Sequence, residues 1–324
     1  IDLLIRSFCR AGHDEIIICP PTFGMYEFYA QVQGAGIRQI PLNRENGYTL
    51  PVAAICARWT GHSKLVFVCS PNNPTGNCFP DSDIDRLATS LAGRGVVVLD
   101  GAYIEFAAAD PMHELLARHD NIVVLRTLSK AHALAAARIG CVIADAGLIA
   151  VLRHCQAPYP VPAPCSALAL AALQAAALAQ TAQRVAMVRA ERERLRVALS
   201  ALPGVRRVYA SQGNFLLLRF VDAQAAFAAL LAPLAQAQTL QPDWPQPNGP
   251  VFSTVVYGDT LIIGVAQRLQ KALTREDFLS RFGGDEFAVL RTANSAESAQ
   301  ELADRLRPAT DAHIALLTTA VVAR

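Results

Sequence analysis

Short apolar runs rich in β-branched residues recur along the first half of the chain and alternate with amphipathic helical patterns. The runs read EIIICPP, KLVFVCS, GVVVLD, NIVVLRT and CVIADA, over residues 15–21, 64–70, 95–100, 121–127 and 141–146. Helical patterns lie between them, over residues 24–34, 81–93 and 145–155. Continuous apolar strands separated by helices are typical of a mostly parallel sheet that is covered on both faces. The pattern therefore predicts a doubly wound α/β layer.

The pattern changes on either side of this layer. The chain opens with IDLLIRSF, an amphipathic helix without a preceding cap, and we therefore expect further sequence upstream. Residues 166–202 predict one long helix or two stacked helices, and residues 205–209 and 214–220 predict strands of a smaller α+β domain. Residues 232–256 are rich in Pro and Gln and predict a linker.

Composition narrows the possible partners and the compartment. The 324 residues carry a net charge of +2, which gives no electrostatic reason to expect binding to nucleic acid or to an anionic membrane. No apolar run reaches the roughly 18 residues that a membrane-spanning helix needs. The eight cysteines form no C-x-x-C pair, a usage that favours reduced thiols in a cytoplasmic protein over disulfides or a zinc site. We accordingly expect no metal.

Side chains suited to chemistry follow the predicted strands. Asn73 comes soon after KLVFVCS, Asp100 ends GVVVLD, and Lys130 follows NIVVLRT after a short gap. In doubly wound sheets, ligands bind at the carboxyl ends of the strands. Desolvation lowers the pKa of a lysine and leaves a neutral amine that can attack an aldehyde. The placement of Lys130 therefore favours Schiff-base chemistry.

The neighbours of this lysine suit a phosphorylated aromatic aldehyde. Arg138 would hold a phosphate through a bidentate contact, with the hydroxyls of Thr127 and Ser129 as further donors. Asp100 would pair with a pyridinium nitrogen and keep it protonated.

Tyr103 and Asn73 would hydrogen-bond a phenolic oxygen, but each residue of this set also has an ordinary interpretation. Lys130 taken alone is typical of a solvated helix start, Asp100 of a turn or helix cap, and the NNPTG segment of a simple turn. Arg138 taken alone suits a surface ion pair. The combination, in this order and at this spacing, favours a catalytic site.

Three segments that carry these residues, CSPNNPTG, VVVLDGAYIEF and LRTLSKAHALAAARIG, closely resemble the pyridoxal-phosphate aminotransferases of the aspartate-aminotransferase fold (fold type I). Within that fold they are most similar to the histidinol-phosphate aminotransferases. IICPPTFGMYEFYA, APYPVPAPCSALALAAL and SQGNFLLLRF fit the same group, so the resemblance spans residues 1–231. It implies a large cofactor-binding domain over residues 1–160 and part of a small domain over 161–231.

The resemblance also implies an activity. The expected reaction transfers an amino group between L-histidinol phosphate and 2-oxoglutarate in a cytoplasmic homodimer, with pyridoxal 5'-phosphate as cofactor. Aromatic amino acids are alternative donors, because close relatives with the same cofactor motifs accept them.

The resemblance assigns roles by position. Lys130 would bind the cofactor aldehyde covalently and move protons during the reaction, and Asp100 would face the pyridine nitrogen. The remaining expected contacts are Tyr103 and Asn73 to the ring oxygen, Thr127, Ser129 and Arg138 to the phosphate, Phe23 stacked on the ring, and Asn214 near the substrate carboxylate.

The chain departs from this family pattern in three places. The phosphate-binding loop that precedes the first helix in the family is absent from the sequence, as is the arm upstream of it. Gly101 replaces the glutamate of the usual Asp-Glu-Ala-Tyr, a change that we expect to be tolerated although it loosens the turn. After Leu231 we find no match to the arginine that binds the substrate.

Residues 257–324 resemble instead the second half of a GGDEF domain, the diguanylate cyclase fold. The motif reads Gly283-Gly284-Asp285-Glu286-Phe287, but the first half of such a domain, with its metal-binding aspartate, is absent. Thr274 also stands where the inhibitory arginine would be expected. Two alternatives to the aminotransferase hypothesis follow, namely a nucleotide-binding or signalling fragment and an inactive chimera.

Overall fold

The computed structural model describes residues 1–223, together with the backbone of four later strands over residues 251–257, 260–266, 277–283 and 286–291. Contacts divide the chain into two units. The first comprises residues 1–190 and 210–213, and the second comprises residues 191–209 and 214–324.

The first unit is an α/β layer built around one sheet. Its strands are β1 (Glu15–Ile18), β2 (Gly36–Gln39), β3 (Ser63–Cys69), β4 (Val96–Asp100), β5 (Ile122–Thr127) and β6 (Gly140–Ala144). Its helices are α1 (Asp2–Phe8), α2 (Met25–Gln33), α3 (Val52–Arg58), α4 (Asp81–Leu91), α5 (Met112–Arg118), α6 (Ala146–Cys155), α7 (Ala163–Ala172) and the first part of α8 (Ala175–Ser200).

The sheet has the order β2-β1-β3-β4-β5-β6. The first five strands pair in parallel, and β6 pairs antiparallel to β5, which confirms a mixed, mostly parallel α/β sheet. Cys69 pairs with Asp100, and Asp100 pairs with Leu125. This register aligns the carboxyl ends of the three central strands at one edge of the sheet.

Burial explains why these runs form central strands. Every residue of β4 is buried, as are six of the seven residues of β3. Helices cover the faces with matching apolar stripes, and in α4 the buried residues Ile84, Leu87, Ala88 and Leu91 follow the helical period. Strands buried on both faces lose the polar alternation of a half-exposed sheet, which is the origin of the continuous apolar runs.

Several elements were not predicted. The sequence GIRQ of β2 contains a single large apolar residue, and this edge strand is largely accessible to solvent. Helices α3 and α5 have seven residues each, too short for a clear periodic pattern. The predicted helical stretch of residues 166–202 is two helices, α7 and α8, separated by Leu173 and Gln174.

The second unit contains an antiparallel sheet with the order β7-β8-β10-β9. Its strands are β7 (Val205–Val208), β8 (Phe215–Phe220), β9 (Val251–Tyr257) and β10 (Thr260–Ala266). The last six residues of the predicted linker therefore lie in β9, whereas residues 232–250 lie outside the described residues. The domain boundaries given above stay predictions.

Two further strands, β11 (Asp277–Gly283) and β12 (Glu286–Arg291), pair antiparallel with Gly283 opposite Glu286. Gly284, Asp285 and Thr274, which entered the GGDEF prediction, lie outside the described residues. Within the described residues, no single helix is long and apolar enough to cross a bilayer. Helices α7 and α8 reach that length and hydropathy only as a pair, which is bent by 71°.

Candidate active site

The candidate site begins with Asp100, the last residue of β4, which is 5% exposed. The hydroxyl of Tyr26 donates to its Oδ2 at 2.6 Å, and the backbone N–H of Ala102 donates to its Oδ1 at 3.1 Å. Burial raises the pKa of Asp100, while the two hydrogen bonds and the positive charge of Lys130 act in the opposite direction. A cation bound against this carboxylate would therefore be strongly favoured, because it would offset the cost of burying the charge.

Tyr26 was not identified as a candidate from the sequence. It lies in α2, its side chain is fully buried, and its ring stacks on Phe67 with centroids 4.6 Å apart at 20°. Burial and then the charge of Asp100 raise the pKa of the Tyr26 phenol well above its usual value. The hydroxyl therefore stays protonated and acts as a donor. Phe23, the predicted stacking residue, contacts Tyr26 edge to face at 5.6 Å.

Lys130, Tyr103 and Asn73 form a second chain of contacts at the same strand ends. The Nζ atom of Lys130 lies 5.4 Å from the ring centroid of Tyr103. The Nδ2 atom of Asn73 donates to the Tyr103 hydroxyl at 3.5 Å, the outer limit of a hydrogen bond. Tyr103 is buried and comes three residues after Asp100. The structure therefore brings four of the predicted residues to one edge of the sheet, namely Asn73, Asp100, Tyr103 and Lys130.

The loop that carries Asn73 is fixed by its neighbour Asn72, which is almost fully buried. Its Nδ2 donates to Thr75 Oγ1 at 2.7 Å and to the carbonyl of Pro21 at 2.9 Å. Its Oδ1 accepts from the Thr22 hydroxyl at 2.9 Å. Asn72 thus joins the NNPTG turn to the segment that leads into α2. The sequence shows Asn72 next to Asn73 but does not indicate that its side chain joins these two segments.

The predicted phosphate-binding residues follow β5. Thr127 Oγ1 lies 2.9 Å from Ser129 Oγ and 3.3 Å from the carbonyl of Ile139, and it accepts from the Ser129 N–H at 3.1 Å. Arg138 precedes Ile139 and adopts a left-handed backbone with φ 53°, and its Nη1 donates to the Ala135 carbonyl at 3.0 Å. The carbonyl of Ile139, the residue after Arg138, therefore lies beside the Thr127 hydroxyl, and Arg138 is an exposed residue.

Gly101 has a packing reason in this chain. A Cβ atom built there would lie 2.5 Å from Cε and 2.7 Å from Sδ of Met112. The thioether of Met112 fills the space that a side chain at position 101 would need. Arg126, 3.3 Å from the same point through its Cδ, is bonded to Glu105 and Asp110 at 2.9 and 2.8 Å. The expectation that glycine only loosens the turn misses this packing.

Asn214 belongs to the second unit and immediately precedes β8. Its Oδ1 is buried and has no hydrogen-bond partner among the residues that the structure describes. A buried carbonyl oxygen of this kind needs a donor, and a bound ligand is one source.

A separate cluster lies at the amino-terminal ends of β1 and β3. Ligand atoms of His13, Asp14 and His62 lie within 4.8 Å of one another. The Asp14 carboxylate is already bonded to the Arg10 guanidinium at 2.8 Å, and the Lys64 ammonium lies 3.7 Å away. Hydrogen bonding from Arg10 holds the pKa of Asp14 well below its usual range. These cations neutralise the Asp14 carboxylate, and the cluster joins the loop before β1 to the loop before β3.

Comparison with known proteins places these motifs in a family. The family model for class I and II aminotransferases matches residues 1–293, and thus continues past Leu231, where the resemblance read from the sequence ended. Histidinol-phosphate aminotransferases of Xylella fastidiosa and Stenotrophomonas maltophilia are 58% and 56% identical to the chain over 234 residues. That match covers 72% of this chain and 64% of each relative, so the chain spans less than two thirds of their length.

Solved structures share the fold. The histidinol-phosphate aminotransferase of Clostridium acetobutylicum has a TM-score of 0.67 at 18% identity, covering 83% of this chain and 76% of its own. That of Sinorhizobium meliloti, solved in complex with pyridoxal-5'-phosphate, has a TM-score of 0.65 at 22% identity, covering 83% of this chain and 70% of its own. With the family match and the strand-end site, these findings lead to one conclusion: the chain belongs to the class I and II aminotransferases.

Proposed function

We propose that this chain is a pyridoxal-phosphate-dependent aminotransferase that transfers an amino group between L-histidinol phosphate and 2-oxoglutarate. The two relatives above carry the name of that activity and are more than half identical to the chain over the matched span. The observation that carries the proposal is the grouping of the Lys130 amine, the Tyr103 phenol and the buried Asp100 carboxylate at one sheet edge.

The donor set suits pyridoxal phosphate in its chemistry. The cofactor has an aldehyde, a phenolic oxygen, a ring nitrogen and a phosphate. The chain offers an amine at Lys130, an amide and a phenol at Asn73 and Tyr103, and a buried carboxylate at Asp100. It also offers the hydroxyls of Thr127 and Ser129 and the guanidinium of Arg138. Asp100 carries the strongest argument, since a buried carboxylate with a raised pKa gains most from a protonated ring nitrogen.

When bound, the cofactor supplies an electron sink that stabilises negative charge at the carbon losing its proton. The residues of the chain do the rest. Asp100 would keep the ring nitrogen protonated, Asn73 and Tyr103 would hydrogen-bond the ring oxygen, and Phe23 would pack against the ring. Thr127, Ser129 and Arg138 bind the phosphate. Lys130 would hold the cofactor at its aldehyde carbon through Nζ, and its free amine would accept and return a proton at the same atom.

The remaining features of the proposal come from the family. Its substrates are small molecules, an amino donor and a 2-oxo acid acceptor, and an aromatic amino acid is the alternative donor. Asn214 binds the substrate carboxylate through its Nδ2 donor. A carboxylate can only accept hydrogen bonds, so it does not satisfy the unpartnered Oδ1 of the same side chain. The enzyme works as a homodimer in the cytoplasm.

Replacement of Lys130 tests this function. Lys130→Ala should abolish transamination of histidinol phosphate and the visible absorbance of bound cofactor, because the covalent attachment and the proton carrier are both lost. Lys64→Ala is the matched control, since Lys64 is the second residue of β3, at the opposite end of the strands, and donates to the Gly61 carbonyl. Measurable turnover by the Lys130 variant, or its loss in the Lys64 variant alone, would refute the assignment.

A second candidate concerns residues 257–324. We propose that this segment is the GGDEF-like fragment described above. The antiparallel pairing of β11 and β12 around the Gly283–Phe287 motif favours a hairpin of that kind, whereas the aminotransferase match to residue 293 counts against it. GTP binding that is lost in Asp285→Ala and Glu286→Ala would support the proposal, and equal binding by the unaltered chain and both variants would exclude it.

A further inference from the structure

The contact between Tyr26 and Asp100 joins two residues that are 74 positions apart in the sequence. The Tyr26 ring is 0% exposed and lies against Phe67 on one side and Phe23 on another. Close aromatic packing leaves the ring a single orientation. The direction of the O–H bond toward Asp100 Oδ2 is therefore set by the core.

The groups around the Tyr26 hydroxyl leave Asp100 as the acceptor of its hydrogen bond. Cys69 lies beside Asp100 in the sheet register and against the Tyr26 hydroxyl, and its thiol donates to the Pro71 carbonyl at 3.3 Å. Burial raises the pKa of the Cys69 thiol well above its usual value, so the thiol stays neutral. A charge-assisted hydrogen bond from a neutral phenol to a buried carboxylate is among the stronger hydrogen bonds in proteins.

We propose that Tyr26 is a positioning residue for Asp100, whose O–H bond fixes the carboxylate and keeps it ionised for the ring nitrogen of the bound cofactor. This inference rests on the proposed function. Tyr26 acts through Asp100 and has no direct role in the reaction. Without its donor, Asp100 would sit buried with the Ala102 N–H as its remaining described hydrogen bond, and it would take up a proton more readily.

A purely structural role for Tyr26 is the competing explanation. Tyr26→Phe separates the two, because it keeps the stacked ring and removes the hydroxyl. The matched control is Tyr29→Phe, on the same helix, where the ring packs partly buried against the core. Within the part of the chain that the structure describes, the Tyr29 hydroxyl makes no hydrogen bond.

The first measurement is the affinity for pyridoxal phosphate between pH 5 and pH 9, followed by the absorbance of bound cofactor. Loss of a hydrogen bond to a charged group should weaken binding by Tyr26→Phe roughly tenfold. The pH midpoint of binding should also move upward. Tyr29→Phe should stay within about twofold of the unaltered chain. In an Asp100→Asn background, Tyr26→Phe should change nothing further.

Other charged groups near Asp100 are common to all variants. They include Lys130, after β5. Tyr26 on α2 and Cys69 on β3 complete the titratable set. The shift between Tyr26→Phe and the unaltered chain therefore reports on the hydroxyl alone.

A second measurement needs no cofactor. The folded pKa of Asp100 is raised above that of the unfolded chain, so the free energy of unfolding falls as pH rises from the usual carboxyl range through the folded pKa. Tyr26→Phe should extend this fall to higher pH, and Asp100→Asn should remove it. Urea unfolding across this pH range measures both effects.

The outcomes separate the inference from the proposed function. No binding of pyridoxal phosphate by the unaltered chain refutes the function and the inference together. Binding by the unaltered chain with the same affinity and pH midpoint in Tyr26→Phe refutes the inference alone. If Tyr26→Phe lowers the affinity as much in the Asp100→Asn background as in the unaltered chain, Tyr26 has a structural role and the inference is overturned.

A variant that fails to fold does not leave the inference undecided. If near-ultraviolet circular dichroism shows that Tyr26→Phe is unfolded, Tyr26→His replaces it, because an imidazole N–H can donate in place of the phenol. Affinity within about threefold of the unaltered chain supports a donor role. A fall to the level of Asp100→Asn overturns it.

Discussion

Alanine at Gly101 should destabilise the protein through one specific collision. The new Cβ would lie 2.5 Å from Cε and 2.7 Å from Sδ of Met112, a side chain that is 3% exposed. Overpacking a well-filled core costs about 1–3 kcal/mol. The colliding atoms are the flexible end of a methionine, which places the expected loss of unfolding free energy near the lower limit, about 1 kcal/mol. No left-handed backbone adds to this cost at Gly101, since its φ lies outside the positive range.

The assay is urea unfolding of Gly101→Ala, Met112→Ala and the double variant. Met112→Ala alone should cost about 2–5 kcal/mol, because it leaves a cavity in the core. In the double variant the alanine methyl occupies part of that cavity and the collision is gone, so the two losses should fall short of additivity by about 1 kcal/mol. Gly61→Ala is the control, because a Cβ built at Gly61 meets nothing within 4 Å.

Two results would refute this reasoning. Equal stability of Gly101→Ala and Gly61→Ala would mean that Met112 yields its space without cost. Strict additivity in the double variant would show that the two positions do not share a volume. In either case the glycine in place of the family glutamate would need a different explanation.

Three further predictions follow from individual contacts. Asp100→Asn should lower the rate of transamination by about 10²-fold or more, because the protonated ring nitrogen loses its counter-charge, and near-normal rates in a steady-state assay would contradict this. The hydrogen bond from Arg10 lowers the pKa of Asp14, so the stability that this carboxylate contributes is lost as pH falls below about 4. In Asp14→Asn, the midpoint of urea unfolding should therefore fall less steeply at acid pH than in the unaltered chain. Arg126→Met should reduce the free energy of unfolding by about 1–3 kcal/mol, since it leaves Glu105 part-buried without its ion pair, and an unchanged urea midpoint would rule that out.

The sequence predicted the fold where burial leaves a compositional trace. Strands β3, β4 and β5 are buried on both faces and appear as continuous apolar runs. Strand β2 lies at the sheet edge and carries the polar sequence GIRQ, so no run marks it. The antiparallel direction of β6 was equally hidden, because strand direction depends on the connection and leaves no mark in composition.

The residues of the candidate site differ in the same way in how far the sequence predicts them. Asn73, Asp100 and Lys130 could be predicted to lie together because each is at or just after the end of a strand, and parallel strands end at one edge whatever the intervening helices contain. Tyr26 and Met112 were not, because each acts through a partner reached by packing a helix on the sheet. The spacing of TFGMYEFYA indicates a buried face for Tyr26, but it does not indicate that Asp100 lies opposite the hydroxyl.

This division explains why a family motif can lose a residue without losing its geometry. The Asp-Gly-Ala-Tyr turn keeps Asp100 at the end of β4 through the register with Cys69 and Leu125, contacts made by the backbone. The side chain at position 101 takes no part in that register, and Met112 and Arg126 fill its place. The orientation of the carboxylate depends instead on the Tyr26 hydroxyl and the Ala102 N–H. Substitutions that alter the packing of α2 against the sheet should therefore affect the cofactor more than substitutions at position 101 itself.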